Sequence, residues 1–207
     1  MARASERGRF ITLEGVDGAG KSTHIPWIAE QLRQGGREVV VTREPGGTPL
    51  AEKLRAQVLA DSMDPLCETL LLFAARADHV RQVIHPALAR GAWVLCDRFT
   101  DATAAYQGGG KGVSRELIRR LAEAVHSGLA PDRTLVFDCP YEVSRQRLGA
   151  SGRPLDRFEA EGRAFFERVR GAYRELARSE PERVHVIEAS RAPELVKAEL
   201  EKLLLSF

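Results

Sequence analysis

Hydrophobic and polar positions along this chain switch repeatedly between a period of two and a period of three to four. Phe10 to Glu14 alternates apolar and polar residues and runs straight into a glycine-rich loop, as a strand would. A helical pattern follows from Gly20 to about Gln34, with Gly35-Gly36 ending it. Pro26 lies inside that helix and predicts a kink, because its ring removes a backbone donor and crowds the preceding turn. Arg37 to Thr42 carries three consecutive valines, a buried strand. Thr48-Pro49 and Asp64-Pro65 each read as an N-cap and a first helical residue. From Leu66 the apolar Leu70, Phe73, Ala77, Val80 and Ile84 predict a helix to about Ala89, disturbed at Pro86. Trp93 to Cys96 is a wholly apolar strand ending in Asp97-Arg98. Helices are expected around Ala102 to Tyr106 and from a cap at Ser114 to Gly128. Thr134 to Phe137 and Val184 to Ile187 are the last two strands, each followed by a helical pattern.

Strands alternating with helices imply an α/β fold: a five-stranded parallel sheet covered on both faces. Ligands on such sheets lie at the carboxyl ends of the strands, where Glu14, Arg43, Asp97 and Asp138 fall. No repeat, linker or low-complexity tract interrupts the 207 residues, so positions 1–207 read as one domain.

Composition changes this picture little. Lys and Arg total 31 against 29 for Asp and Glu, a net charge of +2, so no global field points to nucleic acid or a membrane. Arginine outnumbers lysine and asparagine is missing, which matches a bias against A/T-rich codons better than the lysine enrichment of heat adaptation. Cys67, Cys96 and Cys139 have no metal-ligand spacing and are expected to be buried free thiols in a reducing compartment. The start, MARASERGRF, has no apolar segment, and no apolar run approaches membrane-spanning length. The expectation is a cytoplasmic protein.

The first candidate chemistry is the loop Gly15-Val16-Asp17-Gly18-Ala19-Gly20-Lys21-Ser22-Thr23 between strand and helix. Its glycines let backbone N–H groups face phosphates, and the helix start adds partial positive charge. Lys21 reaches the β- and γ-phosphates, and the Ser22 hydroxyl ligates Mg²⁺. A guanine-reading GTPase of the usual type needs an Asn-Lys-x-Asp motif, which a chain without asparagine lacks. Motor and transporter ATPases usually follow the corresponding strand-end aspartate with a glutamate that activates water. Here Asp97 is followed by Arg98, a cation that suits an anionic second substrate. Phosphoryl transfer is favoured over hydrolysis.

Six stretches then occur in order: EGVDG at Glu14, TREPGGT at Thr42, LFAAR at Leu72, DRF at Asp97, AYQGGG at Ala105 and LDRFE at Leu155. Together they resemble bacterial thymidylate kinases, from Phe10 to the last helix. The resemblance implies the three-layer P-loop nucleoside monophosphate kinase fold and a homodimer. It implies transfer of the γ-phosphate of ATP to dTMP with Mg²⁺, held by Ser22 and Asp97. Arg98 and Arg43 would clamp the acceptor phosphate, which needs charge neutralisation rather than a general base. Asp17 and Glu44 would sit near the acceptor sugar, its phosphate and the metal. Phe73 and Arg76, three apart on one helix face, would stack the base and meet its carbonyl. Thr103 and Gln107 would line the thymine and sugar pocket, and Tyr106 would crowd the ribose 2′ position.

Family members with glycine at the position of Gly18 carry their basic residues in a mobile lid, here about 145–157. Arg153 is the arginine expected over the transferring phosphate, with Arg145 and Arg147 on the preceding helix and Arg157 beside Asp156 and Glu159. Two rivals remain: a deoxynucleoside kinase, which would need a carboxylate where Arg98 stands, and a nucleotide-binding regulatory protein without turnover.

Overall fold

A computed structural model describes residues 7–205. The first six residues, part of the stretch in which no apolar leader was read, lie outside the described residues. Five parallel strands are ordered β2-β3-β1-β4-β5. They are β1 (Phe10–Gly15), β2 (Val39–Arg43), β3 (Trp93–Asp97), β4 (Arg133–Asp138) and β5 (Val184–Glu188). The register pairs Leu13 with Asp97, Arg43 with Asp97 and Gly15 with Phe137. The carboxyl ends of the four candidate strands therefore form one row.

Period-two alternation divides the core between two faces. Ile11, Leu13, Leu95, Leu135 and Phe137 share one cluster with Ile28 and Leu32 of α1 (Lys21–Gln34) and Val196 and Leu200 of α9 (Pro193–Leu204). Phe10, Val94 and Cys96 pack with Val80, Ile84 and Leu88 on the other face. Complete burial of each such side chain contributes about 1.5–3 kcal/mol, so these stripes hold the layers together.

The helical expectations are met with two differences. Helix α1 runs on past Pro26, whose ring crowds the Ser22 carbonyl in the first turn. Thr48 and Asp64 cap α2 (Pro49–Ala60) and α3 (Pro65–His79) by accepting from Ala51 and Leu66 backbone N–H groups at 3.1 and 2.8 Å. The disturbance expected at Pro86 appears one turn earlier, as a π-helical stretch over Val80–Ile84 before α4 (His85–Ala89). Pro86 cannot donate to the Gln82 carbonyl, and the widened turn absorbs that loss. The helix expected to end near Tyr106 is α5 (Thr100–Thr103), extended by a π-helical stretch over Ala104–Gly110. Helices α6 (Arg115–His126), α7 (Tyr141–Ala150) and α8 (Arg163–Ser179) complete the order. Cys96 and Cys139 are buried as expected, but Cys67 is exposed: α3 turns its position toward solvent. No described helix is long and apolar enough to cross a membrane.

Candidate active site

A cleft of about 930 Å³ opens over the carboxyl ends of β1, β2 and β3. Its floor on one side is the glycine loop. Gly15 stands at φ 126°, and a Cβ there would lie 2.2 Å from the Phe137 carbonyl oxygen, so only glycine lets β1 turn so close to β4. Gly20 begins α1 with no side-chain cap, leaving the helix-start N–H groups for another acceptor. Lys21 is buried, and its Nζ donates to the Gly15 and Val16 carbonyls at 3.2 and 3.4 Å. Burial, and then Arg98, pull its ammonium below the usual lysine range.

Asp97 and Ser22 face the same cleft. Asp97 Oδ1 is buried without a hydrogen-bond partner. A hard carboxylate oxygen and a hydroxyl are the kinds of ligand a Mg²⁺-like cation takes alongside waters and phosphate oxygens. No cluster of three or more His, Cys, Asp or Glu ligands occurs among the described residues.

Arg98 reaches back to the glycine loop: its Nη2 donates to Asp17 Oδ1 at 2.6 Å and to Tyr106 Oη at 3.0 Å, and Tyr106 Oη donates to Asp17 Oδ2 at 2.7 Å. Arg98 has φ 70°, a left-handed conformation that costs energy for a side chain of this size and that the surrounding bonds hold in place. Burial alone would lift the Asp17 carboxyl. Arg98, Lys21 and the bonds from Tyr106 outweigh that and hold it below the usual aspartate range. Burial pushes the Tyr106 phenol well up, so it stays a neutral donor.

The deeper end is a second buried ion pair. Glu44 Oε2 accepts from Arg76 Nε at 2.6 Å, and Glu44 Oε1 lies 2.8 Å from His79 Nδ1. Arg76 Nη2 donates to the Phe99 carbonyl and to Thr103 Oγ1 at 3.2 and 3.0 Å, while Nη1 is buried with no partner. The Arg76 guanidinium lies 4.6 Å over the Phe73 ring, which is 2% exposed and stands behind the cleft wall. Gln107 Nε2 donates to Glu68 Oε1 at 2.7 Å.

The cations are distributed differently from the sequence reading in places. Arg43 is at the cleft but paired with Glu52 at 2.9 Å. Arg153 donates to Glu159 with both terminal nitrogens and to the Pro154 carbonyl. Arg147, at the end of α7, donates to the Ala19 carbonyl of the glycine loop at 3.1 Å and to Ala189 at 2.8 Å. Arg157 pairs with neither Asp156 nor Glu159; it reaches Glu68 and the Val58 carbonyl, tying the lid to α3 and α2. Asp138 leaves the site altogether and anchors Arg170 and Arg174 of α8. Arg55, which the sequence reading missed, lines the cleft and donates to the Pro45 carbonyl at 3.1 Å. Ala51, Arg55 and Val58 share one face of α2, and a cation on that inward face was the available signal.

A family model described as Thymidylate kinase matches residues 13–200. The thymidylate kinase of Bordetella pertussis (strain Tohama I) is 58% identical over 195 residues, 94% of this chain and 93% of the relative. That of Pseudomonas putida (strain GB-1) is 57% identical over 200 residues, 95% of each. Among solved structures, the thymidylate kinase from Ehrlichia chaffeensis superposes with a TM-score of 0.78 at 35% identity, covering 96% of this chain and 99% of that one.

Proposed function

The chain belongs to the thymidylate kinase family, and on that premise we propose how its cleft carries out the ATP-dependent phosphorylation of dTMP to dTDP. The observation that carries the reading is the gathering of cations around one cleft. Lys21 of the glycine loop and Arg98, held by Asp17 of the same loop and by Tyr106, both line it. The loop from Gly15 to Thr23 cradles the phosphates of ATP, and Lys21 neutralises the β- and γ-groups. Arg98 and Arg43, with Arg55 beside them, take the acceptor phosphate. An oxygen of that phosphate attacks the γ-phosphorus, the bond to the β,γ-bridging oxygen breaks, and ADP leaves with the electron pair. No proton needs removing from an ionised monoester, so no general base is required; positioning and charge supply the catalysis.

Asp97 and Ser22 would hold a divalent metal, Mg²⁺, whose charge when bound offsets that of the donor phosphates. The unpartnered Arg76 Nη1 supports a pyrimidine carbonyl as its partner, with Thr103 and Gln107 beside it and Phe73 behind. Glu44 orients Arg76. Arg153 is the lid cation assigned to the transferring phosphate, and it must exchange Glu159 for that phosphate on closure. Exposed Leu50, Leu66 and Leu70 on α2 and α3 support a homodimer through that face. A cytoplasmic setting accords with the three free cysteines.

A coupled ADP-release assay with dTMP, thymidine or no acceptor tests the reading. Turnover with dTMP alone is expected. Turnover of thymidine would make this a deoxynucleoside kinase, acceptor-independent turnover an ATPase, and silence throughout a regulatory nucleotide binder.

A further inference from the structure

We infer that Tyr173 is a positioning residue that sets the orientation of the Arg98 guanidinium toward the acceptor phosphate. The inference rests on the reading of Arg98 as that phosphate's clamp. Tyr173 lies on α8, outside all six stretches that carry the family resemblance, and is 2% exposed. Its Oη donates to Glu14 Oε2 at 2.7 Å and accepts from Arg98 Nη1 at 3.3 Å. The other Glu14 oxygen accepts the Phe99 backbone N–H at 2.7 Å, so Glu14 has no freedom to swing and the hydroxyl is fixed from behind.

The two terminal nitrogens of Arg98 are thus held by different tyrosines. Tyr173 takes Nη1, while Tyr106 and Asp17 take Nη2. The guanidinium also lies 4.7 Å over the Tyr106 ring, and the rings of Tyr106 and Tyr173 meet edge to face at 6.5 Å. Two anchored ends and a stacked face determine the plane of a rigid fork. Arginine has five N–H donors, and these three bonds leave donors for a phosphate.

A tyrosine can orient its neighbour only if its own helix is fixed, and α8 is. Arg170 and Arg174 both bond Asp138 at the end of β4, and Arg168 donates to the Gly110 carbonyl at 2.8 Å. The alternative is a core tyrosine whose hydroxyl merely satisfies Glu14. That role would affect stability without distinguishing one substrate from the other.

The test is Tyr173→Phe in the full chain, with KM measured for dTMP and for ATP alongside thermal stability. The expected result is a rise of about tenfold in KM for dTMP, the size of one weakened hydrogen bond to a charged group, with KM for ATP unmoved. Affinity for dTMP without ATP, read by tryptophan fluorescence, should fall by the same factor. Tyr173→Met fills the ring's volume without a hydroxyl and carries the same expectation if the Phe variant is unstable. Unchanged KM for dTMP, or both KM values moving together with a fallen Tm, overturns the inference. Arg98→Lys in parallel separates the two levels. If Arg98→Lys raises KM for dTMP and Tyr173→Phe does not, the role of Tyr173 alone is overturned. If Arg98→Lys leaves it unchanged, the clamp reading itself fails.

Discussion

Arg76 divides one buried guanidinium between structure and recognition. Its Nε and Nη2 are committed to Glu44, Phe99 and Thr103, and only Nη1 remains for a ligand. A donor held so rigidly accepts a carbonyl and rejects an exocyclic amine. dTMP and dUMP, which both present that carbonyl, should therefore far exceed dCMP, by about 1.5–3 kcal/mol for the lost charged hydrogen bond. Comparable kcat/KM for dCMP and dTMP would contradict this. Tyr106 is the residue proposed to crowd the ribose 2′ position. Tyr106→Ala should narrow the ratio of dTMP to its ribo counterpart, while Tyr106→Phe, which keeps the ring, should leave that ratio near the parent's. An unchanged ratio in the Ala variant would return the residue to the core. Much of this was legible: Phe73 and Arg76 share a helix face by spacing alone. The partners that orient Arg76 were not, since Glu44, itself held by His79, and Thr103 approach it through fold contacts that no short motif records.

Two of the arginines of the lid region, Arg147 and Arg153, divide differently between elements. Arg147 belongs to α7 and braces the glycine loop, whereas Arg153 sits in the loop 151–162 and is more than half exposed. An arginine that meets the phosphoryl group only on closure stabilises the transition state more than the bound substrates. Arg153→Ala should lower kcat about a hundredfold with little change in KM for dTMP, while Arg147→Ala should chiefly raise KM for ATP. Parent-like kcat in Arg153→Ala would move the missing charge elsewhere. The π-helical stretch over Ala104–Gly110 shows where element boundaries escape sequence patterns. A Cβ at Gly109 would meet Ala172 Cβ at 2.7 Å, so the glycines serve the close approach of α8. Periodicity cannot reveal that tertiary demand, and it hid Tyr173 for the same reason. On the opposite side, Leu66 and Leu70 are nearly half exposed on α3. Leu66→Glu with Leu70→Glu should convert a dimer into a 22.9 kDa species in sedimentation; a parent that is already monomeric would remove that assignment.

For the molecule as a whole, stability and function share the row of strand ends. Burial, and then Asp101, push the Glu14 carboxyl from about 4.5 up to about 8. Between those values the folded chain keeps a proton that the unfolded chain has released. The stabilisation is complete below about pH 4.5 and is lost as pH rises to about 8. Tm should fall by several degrees between pH 5 and 8, and Glu14→Gln should flatten that slope; equal slopes would contradict the shift. The same end of the sheet holds a cleft lined by Lys21, Arg43, Arg55 and Arg98, the charge that two phosphate-bearing nucleotides call for. The most direct test of that account is ³¹P NMR of products from ATP and dTMP. One dTDP should form for each ADP, with no inorganic phosphate; inorganic phosphate in place of dTDP would contradict transfer between two phosphate-bearing nucleotides.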